Sequence, residues 1–211
     1  AKEQILLPAP SINRDWPQPG GYPNHAMHHI AVGDALKQIW RVDIGEGADE
    51  ELRLVAAPIV VNGWLFTIDS EHQVTALNAE SGKQIWRIDL TPKAEDDGHI
   101  GGGITFEAGR IFVATGFGVV YALNAKDGAV LWSTPVDGPM RTAPTAHGGQ
   151  VFVMTLENKT IAFDSKTGKK QWTHAGTTET ASVLGGGSPA VDQGVVVVGY
   201  SSGEVFALKS E

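Results

Sequence analysis

Apolar positions along this chain fall in short runs broken by glycine-centred turns, and the same arrangement returns four times. Gly63, Gly109, Gly149 and Gly194 occupy one place in it, with Pro58, Ile104, Pro144 and Pro189 five residues upstream. After each glycine comes a strand-like run: Trp64-Leu65-Phe66-Thr67, Ile111-Phe112-Val113, Val151-Phe152-Val153-Met154 and Val195-Val196-Val197-Val198. A polar turn then leads to a second run, such as Val119-Val120-Tyr121-Ala122-Leu123. Short β-rich runs bounded by turn residues predict strands and tight turns rather than helices.

A second signature fixes the period. Trp40, Trp86, Trp132 and Trp172 lie 46, 46 and 40 residues apart. Nine residues before the last three stand Leu77, Leu123 and Phe163, inside Ala76-Leu77-Asn78-Ala79, Ala122-Leu123-Asn124-Ala125 and Ala162-Phe163-Asp164-Ser165. Gly82, Gly128 and Gly168 sit between. Asn78, Asn124 and Asp164 suit turns closed by side-chain-to-backbone hydrogen bonds, and glycine suits a positive φ. The tryptophans supply enough apolar area to anchor an outer strand on a neighbouring unit. Each unit reads strand, Gly turn, strand, short turn, strand, Gly turn, Trp-led strand. Four strands in about 40–45 residues is the period of a propeller blade. The expected fold is therefore all-β, a β-propeller of about four four-stranded blades. An extended leader spans 1–36 and the blades span 37–211. The phase is shifted: a Trp-led outer strand, Ile39–Ile44, stands before the first blade, and the last unit, ending at Ala207-Leu208-Lys209-Ser210, contains three strands.

Composition agrees and narrows the chemistry. The chain has 26 glycines in 211 residues, above a usual share of about 7%, and they fall at the turns of the repeat. Its net charge of −8, from 16 basic and 24 acidic residues, disfavours nucleic acid and anionic lipid as partners. With no cysteine there is no disulfide framework and no thiolate metal site. The apolar runs are too short for a membrane-spanning helix.

The units resemble the tryptophan-docking motif of pyrroloquinoline-quinone-type propeller repeats, Ala-x-Asx-x-x-x-Gly-x-x-x-Trp, across Lys37 to Glu211. Within that superfamily the chain is most similar to BamB-like outer-membrane protein assembly factors. Arg141-Thr142-Ala143-Pro144 and Gly185-Gly186-Gly187-Ser188-Pro189 open blades in the manner of those proteins, and the leader Asp15-Trp16-Pro17-Gln18-Pro19-Gly20-Gly21 with Asn24-His25-Ala26-Met27 resembles the segment before their first blade. The resemblance implies an eight-bladed ring of which this chain supplies half. It also implies a non-enzymatic periplasmic scaffold at the inner face of the outer membrane, held there by a lipid anchor not present in these residues. Its partner would be the POTRA domains of the barrel-inserting subunit. The segment Glu179–Gly187 corresponds to a partner-contacting loop, making Ser182, Val183 and Leu184 candidate contacts, although the arginine of enterobacterial relatives is missing. Three states remain open: a piece of a longer chain, a pair of copies forming one ring with Ile39–Ile44 of each completing the other's Gly187–Leu208 blade, or a closed four-bladed monomer.

Two rival classes stand beside it: a propeller scaffold for another envelope complex, and a fragment of a dehydrogenase-like quinoprotein, since such enzymes share the repeat. Many of them carry a vicinal cysteine pair beside the quinone and Ca²⁺-binding carboxylates in the central funnel. The lack of cysteine speaks against that class, and no catalytic residue, cofactor or metal is expected. His25, His28 and His29 are possible metal ligands, but only His25 with His28 or His29 has helical spacing and no third ligand is evident nearby, so a leader packed over the ring is the preferred explanation. Gly101-Gly102-Gly103 and Gly185-Gly186-Gly187 lack the following helix and lysine of a phosphate cradle, so close packing is expected there. Two acidic loops, Glu46, Asp49, Glu50, Glu51 and Glu95, Asp96, Asp97, follow equivalent strands and should emerge on one face, where they could steer a basic partner or be ordinary solvated loops.

Overall fold

Every blade is a meander whose second and third strands are apolar on both faces. That pattern requires a neighbour on each side. The computed structural model describes residues 6–48, 54–93, 101–140, 142–179 and 186–211. The first blade contains β1 (Ile59–Val61), β2 (Trp64–Ile68), β3 (Gln73–Asn78) and β4 (Gln84–Asp89). The second contains β5 (Gly102–Glu107), β6 (Arg110–Thr115), β7 (Val119–Asn124) and β8 (Val130–Pro135). The third contains β9 (Thr145–His147), β10 (Gln150–Met154), β11 (Lys159–Asp164) and β12 (Lys170–Ala175), and the fourth β13 (Ala190–Asp192), β14 (Val195–Gly199) and β15 (Val205–Lys209). All pairings within them are antiparallel and sequential. The architecture is thus all-β, a partial propeller with, among the described residues, three four-stranded blades and one three-stranded blade.

Three apolar clusters lie between successive blades. Phe66, Ile68 and Val74 of the first meet Ile104, Ile111 and Val113 of the second. Phe112 and Val120 then meet Val151 and Phe163, and Phe152 meets Val196 and Val198. Removal of this inter-blade surface from water is the main stabilising term.

Trp docking locks the blades in order. The Trp86 indole N–H donates to Ala125 O of the next blade at 2.9 Å, Trp132 to Ser165 O at 3.1 Å and Trp172 to Ser210 O at 2.8 Å. Each ring also lies against a phenylalanine of its own blade's second strand, with centroids 5.9–6.0 Å apart for Phe66–Trp86, Phe112–Trp132 and Phe152–Trp172. Opposite the tryptophans stand small residues, Ala76, Ala122 and Ala162, and a register shift follows each of them. The glycine of the signature is required twice over. Gly128 has φ +74°, and a Cβ there would stand 2.8 Å from the Trp86 ring; Gly82 is in the same relation to Trp40.

Trp40 docks like the others, its indole donating to Ala79 O at 3.0 Å. Its segment differs from the expected strand: residues 37–44 make no sheet ladder, although Lys37-Gln38-Ile39-Trp40-Arg41-Val42-Asp43 nearly repeats Lys83-Gln84-Ile85-Trp86-Arg87-Ile88-Asp89 of β4. A fourth strand needs a third strand beside it, and among the described residues none adjoins this one. Conversely, among the described residues no strand lies on the outer edge of β15, and Val205 there is 72% exposed.

The leader is not a loose cover. Trp16 forms a bridge with Val60, Pro17 O accepts from Phe106 N–H, Gln18 is buried against Ala146, and Pro23 O accepts from Val191 N–H, so residues 16–23 reach all four blades.

Gly128→Ala should lower unfolding free energy by about 2–3 kcal/mol, from left-handed strain of roughly 1–2 kcal/mol plus displacement of the Trp86 ring. Urea titration followed by tryptophan emission measures this; a midpoint equal to the parent's would contradict the docking account.

Candidate protein-binding face

One face of the arc carries the β2–β3-type turns and the connections between blades. In each turn the fourth residue adopts a left-handed conformation: His72 (φ 63°), Gly118 (φ 74°), Asn158 (φ 57°) and Gly203 (φ 83°). Asparagine and glycine tolerate that region best. The N–H of the second turn residue points back to the preceding unit every time. Ser70 donates to Glu46 O at 3.2 Å and Leu156 to Pro139 O at 3.0 Å. Gly116 donates to His72 Nε2 at 3.3 Å and Ser201 to Asn158 Oδ1 at 3.1 Å. Side-chain and main-chain acceptors therefore alternate, and together they tie this face into one hydrogen-bonded rim.

Of the predicted acidic loops, Glu46 is placed here, its N–H bonded to Asp69 Oδ2 at 3.1 Å. The Asp69 carboxylate also accepts from the Glu71 and Gln73 N–H groups at 3.0 and 2.8 Å. Asp49, Glu50, Glu51, Glu95, Asp96 and Asp97 lie outside the described residues, as do the predicted contacts Ser182, Val183 and Leu184.

The chain leading toward those contacts is firmly held. Asn158 Nδ2 donates to Thr177 O at 2.7 Å, and Gly176 N–H donates to Asn158 O at 2.9 Å. Glu204 Oε2 accepts from Thr177 N–H at 2.8 Å and from the Ser202 hydroxyl at 2.7 Å. Those bonds, the Thr177 N–H first, hold the Glu204 carboxyl below its ordinary range. Beneath, the Tyr200 hydroxyl sits 3.0 Å from His174 Nδ1 and 2.8 Å from Thr160 Oγ1, and burial pushes the Tyr200 phenol up. Asn158 and Glu204 escape a motif search. The available signal was the alignment of Asn158 with Gly118 and Gly203 in successive turns.

The remaining candidates are dispersed. The His25 ring packs on Gly20 and burial lowers its pKa. His29 Nδ1 lies 2.7 Å from Pro8 O. Among the described residues no three His, Cys, Asp or Glu side chains converge on a metal-sized space. A Cβ on Gly102 would collide with Ala114 O, and one on Gly103 would lie 2.8 Å from Ala143 Cα, so this run is a close-packing site. On the opposite face an apolar cleft of about 250 Å³ between the first two blades is lined by Val61, Trp64, Phe66, Phe106 and Ala125. The next pair of blades is bridged there instead, Glu107 Oε2 accepting from Gly149 N–H at 3.3 Å.

A family profile described as outer membrane protein assembly factor BamB matches residues 28–97 and 70–211. An uncharacterized protein of Rickettsia prowazekii is 40% identical over 58 residues, covering 28% of this chain and 14% of that protein. BamB from Moraxella catarrhalis superposes with a TM-score of 0.61 at 21% identity, over 76% of this chain and 46% of that one. Quinohemoprotein alcohol dehydrogenase ADHIIG from Pseudomonas putida HK5 superposes with a TM-score of 0.64 at 22% identity, over 88% of this chain and 34% of that one. The two superpositions establish the propeller fold, and the chain spans less than half of each of these relatives.

Glu204, with its folded pKa depressed, contributes stability above its unfolded pKa that is lost as pH falls through the folded value. The Thr177 amide should therefore stay protected from hydrogen exchange through the ordinary glutamate range and lose protection only at lower pH. Glu204→Gln should make that protection pH-independent. Loss of Thr177 protection already at the ordinary glutamate pKa would contradict the assigned bond.

Proposed function

The chain belongs to the BamB family of outer membrane protein assembly factors, and on that premise we propose that it is a non-enzymatic scaffold of the outer-membrane β-barrel assembly machinery. It works in the periplasm, at the inner face of the outer membrane, by binding the POTRA domains of the barrel-inserting subunit. The observation that carries the reading is the family match over residues 28–97 and 70–211. The hydrogen-bonded rim supports it, since loops presented by a rigid frame bind at a lower ordering cost. Val183 and Leu184 provide the apolar contact, and the acidic connections steer a basic partner surface.

Leu184→Asp places a charge in that contact and should weaken the complex about thirtyfold, as for an interface hot spot of roughly 2 kcal/mol. Calorimetry with the purified POTRA domains reads this; unchanged affinity removes the loop from the interface. Replacing the seven carboxylates of the two acidic loops by amides should slow association at low salt and leave dissociation nearly unaltered.

The unpaired edges extend the proposal to a homodimer. Residues 37–43 have the sequence of a fourth strand, and β15 exposes the edge that a fourth strand takes. Val195 and Val197 beside it are 40% and 42% exposed. Strand 39–44 of a second copy would cover that edge, and the reciprocal pairing would complete one eight-bladed ring. Light scattering at micromolar concentration should report a dimer, converted to monomer by Val42→Pro. A stable monomer of the parent chain would overturn the pairing.

A second reading draws on the likeness to the quinohemoprotein alcohol dehydrogenase: this chain as part of a dehydrogenase-like quinoprotein. The axis of the propeller bears on that reading.

A further inference from the structure

Val60, Phe106, Ala146 and Val191 occupy one position of the repeat, in the innermost strand of each blade. All four give their backbone N–H to the leader. Val60 donates to Trp16 O at 3.0 Å, Phe106 to Pro17 O at 2.8 Å and Val191 to Pro23 O at 2.7 Å. Ala146 donates to Gln18 Oε1 at 3.3 Å, and Gln18 Nε2 returns a 2.7 Å bond to Ala146 O. Gln18 is only 2% exposed. One edge of each inner strand is taken by its own blade's second strand. The edge bonded to the leader is the other one, which faces the propeller axis.

Three consecutive residues, Trp16, Pro17 and Gln18, serve three consecutive blades. With consecutive Cα atoms about 3.8 Å apart, those axial edges converge closely on the leader. Side chains contribute little to this recognition. The donors are main-chain amides, and the acceptors are three carbonyls and one amide side chain. At the leader's entry the Asp15 carboxylate accepts from Asn62 N–H at 2.8 Å and caps the first turn of the first blade. Glu107 does the same for the corresponding turn of the third blade, bonding Gly149 N–H. The leader thus contributes bonds of the kind that one blade otherwise makes to the next.

We infer that residues Trp16–Pro23 are the resident axial ligand of this propeller, lying where a quinoprotein holds its quinone, and that the chain takes up no quinone there. A flat tricyclic quinone needs an open axial space, and here the inner edges close on a peptide. The donor set agrees: the chain has no cysteine, and the described residues provide no three-ligand cluster for an accompanying Ca²⁺. The inference goes beyond the scaffold reading, because a propeller with a filled axis need not bind POTRA domains. Failure of that binding leaves the readouts below unmoved.

The test uses the whole chain. Equilibrium dialysis against pyrroloquinoline quinone with Ca²⁺ should show no retention. Residue-resolved hydrogen exchange should find the amides of Val60, Phe106, Ala146 and Val191 protected as a set. Gln18→Ala should speed exchange at Ala146 by about fivefold or more, the equivalent of one lost hydrogen bond, and still retain no quinone. Where that variant folds poorly, Gln18→Met fills a similar volume without either bond, so exchange at Ala146 should quicken by the same factor while the amides of Val60, Phe106 and Val191 stay protected. Stoichiometric quinone uptake, or fast exchange at the four amides in the parent chain, would overturn the inference.

Discussion

The structure depends on one contact repeated around the arc: a tryptophan from the outer strand of one blade, its indole N–H on a carbonyl in the next. The ring lies between a phenylalanine of its own blade and a glycine of the neighbour. That geometry explains why the signature has the residues it has. Alanine opposite the tryptophan leaves room for the ring, and glycine at positive φ allows it to approach the backbone. The contact is also directional. Each blade reaches forward and receives from behind, so the order of blades and the position of the unpaired strand follow from the same rule. At Trp40 the forward half of the contact is present without the sheet behind it. At β15 the sheet is present without the outer strand, and Val197 stands where Phe66, Phe112 and Phe152 back a tryptophan in the other blades.

Repetition of the core leaves variation to the rims. On the turn-bearing face the same N–H of each unit is satisfied by different means, a carbonyl at Glu46 and Pro139 but a side chain at His72 and Asn158. On the opposite face Val61 leaves an apolar cleft where the corresponding Glu107 makes a bridge. Such differences give the rims surfaces that differ from blade to blade, since the blade interiors are committed to packing.

Much of this was legible before any coordinates. Spacing alone marked the blades, because a fixed interval from Leu77 to Trp86, Leu123 to Trp132 and Phe163 to Trp172 reflects one backbone path between two packed side chains. Asn78, Asn124 and Asp164 announced their turns, and each carboxamide or carboxylate oxygen does accept from the turn's own N–H groups. Residues 39–44 carry the pattern of a fourth strand standing apart from any blade, as expected, and among the described residues they form no ladder, because a ladder requires a neighbour that the pattern does not contain. Asn158 was not legible as an anchor, because its partners Thr177 and Ser201 lie 19 and 43 residues away in sequence.

The amino-acid sequence by itself determined the repeat, its turn chemistry, the propeller class and membership of the family, since each of these is written in side-chain identity at short range. Tertiary structure alone decided what the leader does. Its bonds to Val60, Phe106 and Val191 join main-chain groups, with carbonyls that even Pro17 and Pro23 supply, and only Asp15 and Gln18 add side-chain bonds to the blades. Backbone recognition is silent in sequence, and it becomes specific here because four blades turn the same edge toward one axis.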